Sequence, residues 1–565
     1  MYIEVVPNRN SRPALLLREA WREGKTIRKR TLANLTNWPE AKVEALKELL
    51  KGEPLVKASE RFAIERSLPH GHVEAILGTI RKLGLDTLIG SKRTRERDLV
   101  LGLLAERLIE PASKLATTRL WQTTTLAEEL SVTDADEDAC YDALDWLLAR
   151  QDRIETKLAA RHLEEGALVL YDLTSSTYEG RTCPLAKLGK NRDGRKDRLC
   201  IAYGLLTDHE GRPVSVQVYP GNTGDPATVS DQVEKLRVRF GLHRVVLVGD
   251  RGMLTATQID TLQDHPGLGW ISALRSPAIR KLVEGEHLQL SLFDTQDLAE
   301  IASEEYPLER LIACFNPLLA DERKRKREDL LAATEKGLHR IAREVARRTR
   351  TPLDKAEIGK KVGACLRQFK MGKHFTLAIG EGSFSFARKE ASIQREQALD
   401  GIYVIRTSEP RERLSADDAV RNYKNLAHVE RAFRSLKGLD LLVRPIHHRT
   451  EDRVKAHIFL CMLAYYLEWH MRKALAPLLF DDEELPEKRK TRHPVLPATP
   501  SRSARKKKTT RVTAEGLPVQ SFSTLLADLG TRCRHRCRIG ADGPSFTQVT
   551  APTPLQTRAF ELLGL

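Results

Sequence analysis

The sequence predicts an α/β protein: a mixed sheet with flanking helices, interrupted by a largely β insertion and preceded by a mainly helical region. Three observations carry this reading. Ala167-Leu168-Val169-Leu170-Tyr171-Asp172 and Val245-Val246-Leu247-Val248-Gly249-Asp250 are apolar, β-rich runs that each end in an aspartate. A buried strand delivers a carboxylate to the edge of a sheet in this way. Further strand patterns at 200–207, 213–219 and 270–274 alternate with helical periodicity near 226–240 and 255–263. Turn residues punctuate the set: Asp208-His-Glu-Gly211-Arg-Pro213 joins the second and third strands as a short hairpin, and Pro220-Gly221-Asn222 closes the third.

The chain has 565 residues, which at about 150 residues per domain suggests three or four units. Its formal net charge is +16 and its pI is near 9.4, a balance that favours a polyanionic partner such as nucleic acid. A membrane role is not expected, because Met1 to Pro7 opens no long apolar region and the longest apolar run, Ile458 to Leu467, is too short to span a bilayer. A cytoplasmic protein with reduced thiols follows from eight cysteines that are mostly far apart and inside apolar segments. Cys533-Arg-His535-Arg-Cys537 offers half a zinc site, but no second ligand pair follows it.

Taken in order, 1–60 reads as a small basic module, with Arg22, Lys25, Arg28, Lys29 and Arg30 around one turn and a helix after Pro39. Residues 61–165 carry helical stripes and read as a DNA-binding or dimerisation domain, or as an ordinary helical domain with solvated charges. The α/β core follows at 166–279 and resumes at 399–480. Between its halves, 280–398 holds short strand patterns around a charged helix from about Asp321 to Arg350, whose Leu331, Leu338 and Val345 recur at heptad spacing and offer one partner surface. The span 481–515, rich in Pro, Ser, Lys and Arg, reads as a disordered basic linker, and 516–565 as a C-terminal helical segment.

The chemistry concentrates between Tyr423 and Lys437. Ser415-Ala-Asp-Asp418 caps a helix that, at about 100° per residue, sets Tyr423, Glu430 and Lys437 on one face together with Leu426, Ala427 and Phe433. That face should turn Glu430 toward the interior, where a carboxylate needs a cation beside it. Asp172, Asp250 and Glu430 together make an all-oxygen set suited to Mg²⁺. Each residue also has a plain structural reading: Glu430 paired with Arg434, the aspartates as turn caps, Lys437 as a helix terminus before Gly438, and Tyr423 as a core aromatic.

The spacing Tyr423, Leu426, Glu430, Lys437 resembles the Tyr-Arg-Glu-Lys signature of insertion-sequence DDE transposases, which have a ribonuclease-H-like catalytic fold. Leu-Tyr-Asp172-Leu-Thr-Ser-Ser, Gly189-Lys-Asn-Arg-Asp193-Gly-Arg195, Gly211-Arg-Pro-Val, Pro220-Gly-Asn222-Thr-Gly-Asp225 and Val-Gly-Asp250-Arg-Gly252 appear in the family's order. The resemblance implies an enzyme that cuts DNA at the terminal inverted repeats and joins it to target DNA, with Asp172, Asp250 and Glu430 holding two Mg²⁺ ions for which Mn²⁺ can substitute. It implies Tyr423 and Lys437 on a phosphate near the cut, and a homodimer when DNA is bound. Two positions depart from the pattern. Leu426 replaces the signature Arg, which leaves that charge absent or moved to Lys424, Arg431 or Arg434. Tyr403 stands where the family stacks a flipped base on Trp. The rival readings are another ribonuclease-H-like nuclease and a catalytically silent DNA-binding relative.

Overall fold

The computed structural model describes residues 1–9, 12–52, 63–195, 197–539 and 543–565, apart from the side chain of Lys490. They form two compact units, Met1–His70 with Arg532–Ala551, and Gly71–Thr531 with Pro552–Leu565.

The smaller unit holds two antiparallel sheets. In the first, β1 (Tyr2–Val6), β2 (Ala14–Glu23) and β3 (Thr26–Asn34) pair in order, and a helix follows at Glu40–Leu50. Gly24, at φ +64°, makes the tight β2–β3 turn. The basic turn predicted there is partly neutralised, since Arg28 pairs with Glu23 at 2.9 Å and Arg30 with Glu19 at 3.1 Å. The second sheet starts from β4 (Ala63–Pro69), whose partner arrives from more than 460 residues later in the chain. The expectation of a wholly helical C-terminal segment is therefore corrected for 532–551.

In the larger unit, helices at Gly71–Lys82, Arg95–Ile109, Glu137–Leu148 and Gln151–His162 precede the sheet. They share one continuous hydrophobic core with it, so they do not stand apart as a separate body. The strands are β5 (Ala167–Thr177), β6 (Cys200–Asp208), β7 (Pro213–Pro220), β8 (Val245–Val248), β9 (Leu268–Ala273), β10 (Leu298–Ile301) and β11 (Arg310–Phe315). After the hairpin of β12 (Phe375–Gly380) and β13 (Ser383–Arg388), β14 (Ile402–Thr407) returns to the main sheet. The eight-stranded order is β10-β11-β14-β9-β8-β5-β6-β7, with β5 parallel to β8 and β8 parallel to β9. Three antiparallel strands followed by two parallel ones constitute the ribonuclease-H-like arrangement. Finally, β15 (Cys533–Arg538) pairs β4 on one side and β16 (Ser545–Val549) on the other, in the smaller unit.

The insertion differs from its expected β character. Its body is two helices, Pro317–Arg347 and Lys355–Phe369, packed on the β12–β13 hairpin, while β10 and β11 extend the main sheet. Leu331, Leu338 and Val345 are buried against Ile358, Val362 and Phe375 of the same chain. The heptad stripe is thereby used internally, and its role as a partner surface is set aside. The span 481–515 is also not a structureless linker. It carries helices at Leu485–Thr491 and Arg502–Thr510, the second capped by Ser501, whose own N–H donates to Asp482 at 2.7 Å. The Glu451–Leu475 helix is apolar around nearly its whole circumference because it is buried on most sides, against Arg95–Ile109, Glu137–Leu148 and β7. Among the described residues no helix is long and apolar enough to cross a membrane.

Candidate active site

Strand register places the first two carboxylates. Leu170 of β5 lies opposite Val248 of β8, so Asp172 and Asp250, each two residues further on, reach the same level; Asp250 lies just past the end of β8, whereas Asp172, expected at a strand end, sits within β5, which continues to Thr177. Asp172 Oδ1 accepts from the N–H of Leu173 at 2.8 Å, and Asp250 Oδ1 accepts from Gly252 and Met253, both at 2.8 Å. Burial pushes the Asp172 carboxyl up to about 7; Asp250 and Asp225 add to this, and Arg192 opposes it.

The third carboxylate comes from a helix that the sequence predicted as continuous. It is broken: Ala416–Lys424 ends and Leu426–Lys437 begins around Asn425, where Asn425 N–H bonds Asn422 O at 3.1 Å and His428 N–H bonds Asn425 O at 2.8 Å. Both are three-residue steps that tighten the turn. Leu426, Val429, Ala432, Phe433 and Leu436 form the buried stripe, and Phe433 meets Tyr203 of β6 edge-on at 6.0 Å. Tyr203 lies opposite Thr174 of β5, so this helix covers the sheet face that Asp172 shares. Glu430 sits roughly 95° from the centre of the stripe and is exposed, which corrects the inward orientation expected for it. It makes no ion pair with Arg434. Arg431 and Arg434, also exposed and unpaired among the described residues, flank it.

Tyr423 ties the three together. Burial, then the charges of Asp250, Glu430 and Asp172, push its hydroxyl up to about 12, while Arg251 works in the other direction. Tyr423 is partly buried against the core just before the break at Asn425. Lys437 Nζ donates to Ser175 O at 2.5 Å and to Asp193 Oδ1 at 3.2 Å. Asp193 also holds Arg444 at 2.5 Å and accepts from the N–H and hydroxyl of Thr177.

Two predicted DNA contacts are otherwise engaged. Lys424 Nζ donates to the carbonyls of Pro494 and Val495 at 2.5 and 2.6 Å, and burial with Arg492 nearby pushes it down to about 8. Tyr403 is half-buried against the core with its hydroxyl beside Cys314, so it presents no open ring for stacking. Leu426 is itself a core residue, 9 % exposed.

The sequence reading missed Arg192, Asp193, Asp225 and Arg444 as individual residues, although it singled out the two motifs that hold the first three. The 189–195 loop lies along β5: Ser175 Oγ donates to Lys190 O at 2.8 Å and accepts from Arg192 N–H at 3.0 Å. Gly189 is required because a Cβ there would stand 2.0 Å from Gly221 O. Among the described residues no three His, Cys, Asp or Glu side chains are gathered closely enough to enclose a cation. The donor set still fits a hard divalent ion: it is all oxygen, and Asp172 and Asp250 already repel one another across adjacent strands.

The strand order is that of the ribonuclease-H-like class, with Asp172 and Asp250 level at its adjacent strands β5 and β8. The model for the transposase DDE domain matches residues 166–467, just over half of the sequence, and the chain belongs to the DDE transposase family. Residues 3–61 match the N-terminal domain of IS1634 family transposases, which marks an insertion-sequence member. Among solved structures, the piggyBac transposase synaptic complex with hairpin DNA is 10 % identical, with a TM-score of 0.34 over 81 % of this chain and 76 % of that one. No curated protein matches the chain.

Proposed function

We propose that this protein is the transposase of an insertion sequence, binding its terminal inverted repeats, cutting the DNA and joining the freed ends to target DNA by cut-and-paste. The observation that carries this reading is the level placement of Asp172 and Asp250 on adjacent strands, with the Tyr423 hydroxyl under the charge of both and of Glu430. Asp172, Asp250 and Glu430 would hold Mg²⁺, or Mn²⁺ in its place. Held by these three carboxylates, such ions would supply Lewis acidity for an attacking water and a leaving 3′-oxygen.

The chain's own groups bind and orient the DNA. Tyr423, protonated well above neutral pH, donates its hydroxyl proton to a phosphate oxygen. Lys437 and Arg444, held on Asp193, supply positive charge at the far end of β5. Arg431 and Arg434, free on the exposed face beside Glu430, suit the flanking backbone. Pairing two transposon ends calls for at least a homodimer on DNA. The test is cleavage of DNA carrying the natural flanks by the wild type and Glu430→Gln: the variant should bind and not cut, and equal cutting would remove Glu430 from the site.

A further inference from the structure

The loop that runs beside Asp172 carries two cations on one carboxylate. Arg192 Nη2 meets Asp225 Oδ1 at 2.5 Å, and Lys190 Nζ meets Asp225 Oδ2 at 3.4 Å. The backbone of Arg192 is fixed to Ser175, three residues along β5 from Asp172. Its side chain is 22 % exposed, and the guanidinium has no other side-chain partner among the described residues. Most of its five donors are therefore unused.

Of the other cations near the site, Arg431 and Arg434 stand free beside Glu430, whereas those along β5 and ahead of the helix break are committed. Lys437 and Arg444 share Asp193, whose remaining oxygen is taken by Thr177, and Lys424 is tied to two backbone carbonyls. Asp193 is 4 % exposed and its partners hold it from several sides, which makes that cluster a fixed part of the frame. Asp225, at 15 % exposed, is more open than Asp193, and its pair with Arg192 is unbalanced toward positive charge by Lys190. A carboxylate and a phosphate offer an arginine fork the same pair of oxygens, so one can replace the other without moving the loop.

We propose that Arg192 is a positioning residue for the DNA backbone, exchanging Asp225 for the phosphate that arrives beside Asp172. In the free protein Asp225 keeps the guanidinium in place. This deepens the proposed function, because it takes Asp172 as part of the cleavage site. It also answers for the core position of Leu426: the positive charge absent there enters from the 189–195 loop.

The test compares wild type with Arg192→Gln, Arg192→Lys, Asp225→Asn and the charge swap Arg192→Asp with Asp225→Arg, using DNA with the natural flanks. Affinity is measured across a salt series and cleavage on a denaturing gel. Arg192→Gln should lower the dependence of log K on log salt by about one unit and slow cleavage roughly tenfold or more. Arg192→Lys should keep the salt slope and recover part of the cleavage. Asp225→Asn should bind DNA at least as tightly as wild type. The swap restores an ion pair and folding while leaving cleavage low. Equal losses in Arg192→Gln and Asp225→Asn with an unaltered salt slope, or recovery of cleavage by the swap, would overturn the proposal by making the pair purely structural. Glu430→Gln run alongside separates this from the cleavage-site reading: if it cuts like wild type, that reading fails whatever the Arg192 slopes show.

Discussion

Replacing Asp172 with Asn should make the folded protein more stable at alkaline pH. The carboxyl stands at about 7 when folded, against an ordinary 3.8, because burial and the neighbouring Asp250 disfavour its charge. A carboxyl whose pKa is raised by folding prefers to fold un-ionised, so its contribution is fully present below 3.8 and is lost as pH rises to about 7. At about 1.4 kcal/mol per pH unit the gap sets a ceiling of about 4 kcal/mol. The side chain keeps some contact with solvent, which screens the charge and brings the expected cost to about 2 kcal/mol at pH 8. Guanidinium unfolding of wild type and Asp172→Asn in the presence of a chelator measures it. The variant should be the more stable by about 2 kcal/mol at pH 8 and by under about 1 kcal/mol at pH 5. Added Mg²⁺ should narrow the difference at pH 8 by binding the wild-type native state. An equal difference at both pH values, or a less stable variant at pH 8, would refute the argument.

Other expectations follow from the same geometry. Phe433→Ala removes a buried ring that seats the Glu430 helix on Tyr203, and should cost about 3–5 kcal/mol in chemical unfolding. Leu426→Arg, which would restore the signature residue, buries a charge in the core; it should lower stability by roughly 3 kcal/mol or more and bring no gain in DNA cleavage. Lys424→Ala should speed amide exchange in 492–496, because it frees the carbonyls of Pro494 and Val495, while leaving the salt dependence of DNA binding as it is. Gly189→Ala should impair folding, since its methyl group would collide with Gly221 O, and expression with a melting curve reads this out.

What the sequence made legible was local. Asp250 could be placed because β8 is a short apolar run with a clear end, and the core strands at 200–207, 213–219 and 270–274 were legible as buried apolar runs; Asp172, read as a strand end, instead lies mid-strand, because β5 continues through polar Thr174 to Thr177. The signature helix was legible as helix, but not its break at Asn425, which rests on two short-range hydrogen bonds that composition does not encode. The break sets Tyr423 and Glu430 on separate helices, and the buried stripe beginning at Leu426 decides that Glu430 is exposed. Partners distant in sequence were out of reach. β4 finds β15 across the whole chain, and the acceptors of Lys424 lie about seventy residues later. A basic, Pro-rich composition suggested disorder at 481–515, yet Ser501 caps the helix Arg502–Thr510 and its own N–H is held by Asp482. The motif around Asp193 was visible as a string, while its function as the shared anchor of Lys437 and Arg444 needed three dimensions.

The most direct test is a denaturing gel of DNA carrying this gene's natural flanks, incubated with Mg²⁺ and either the wild-type protein or Glu430→Gln. Paired breaks at the terminal repeats with wild type, and binding without breaks in the variant, are the predicted result. Binding without cutting by both proteins, in Mn²⁺ as well as Mg²⁺, would contradict the account and leave a DNA-recognition protein on a transposase fold.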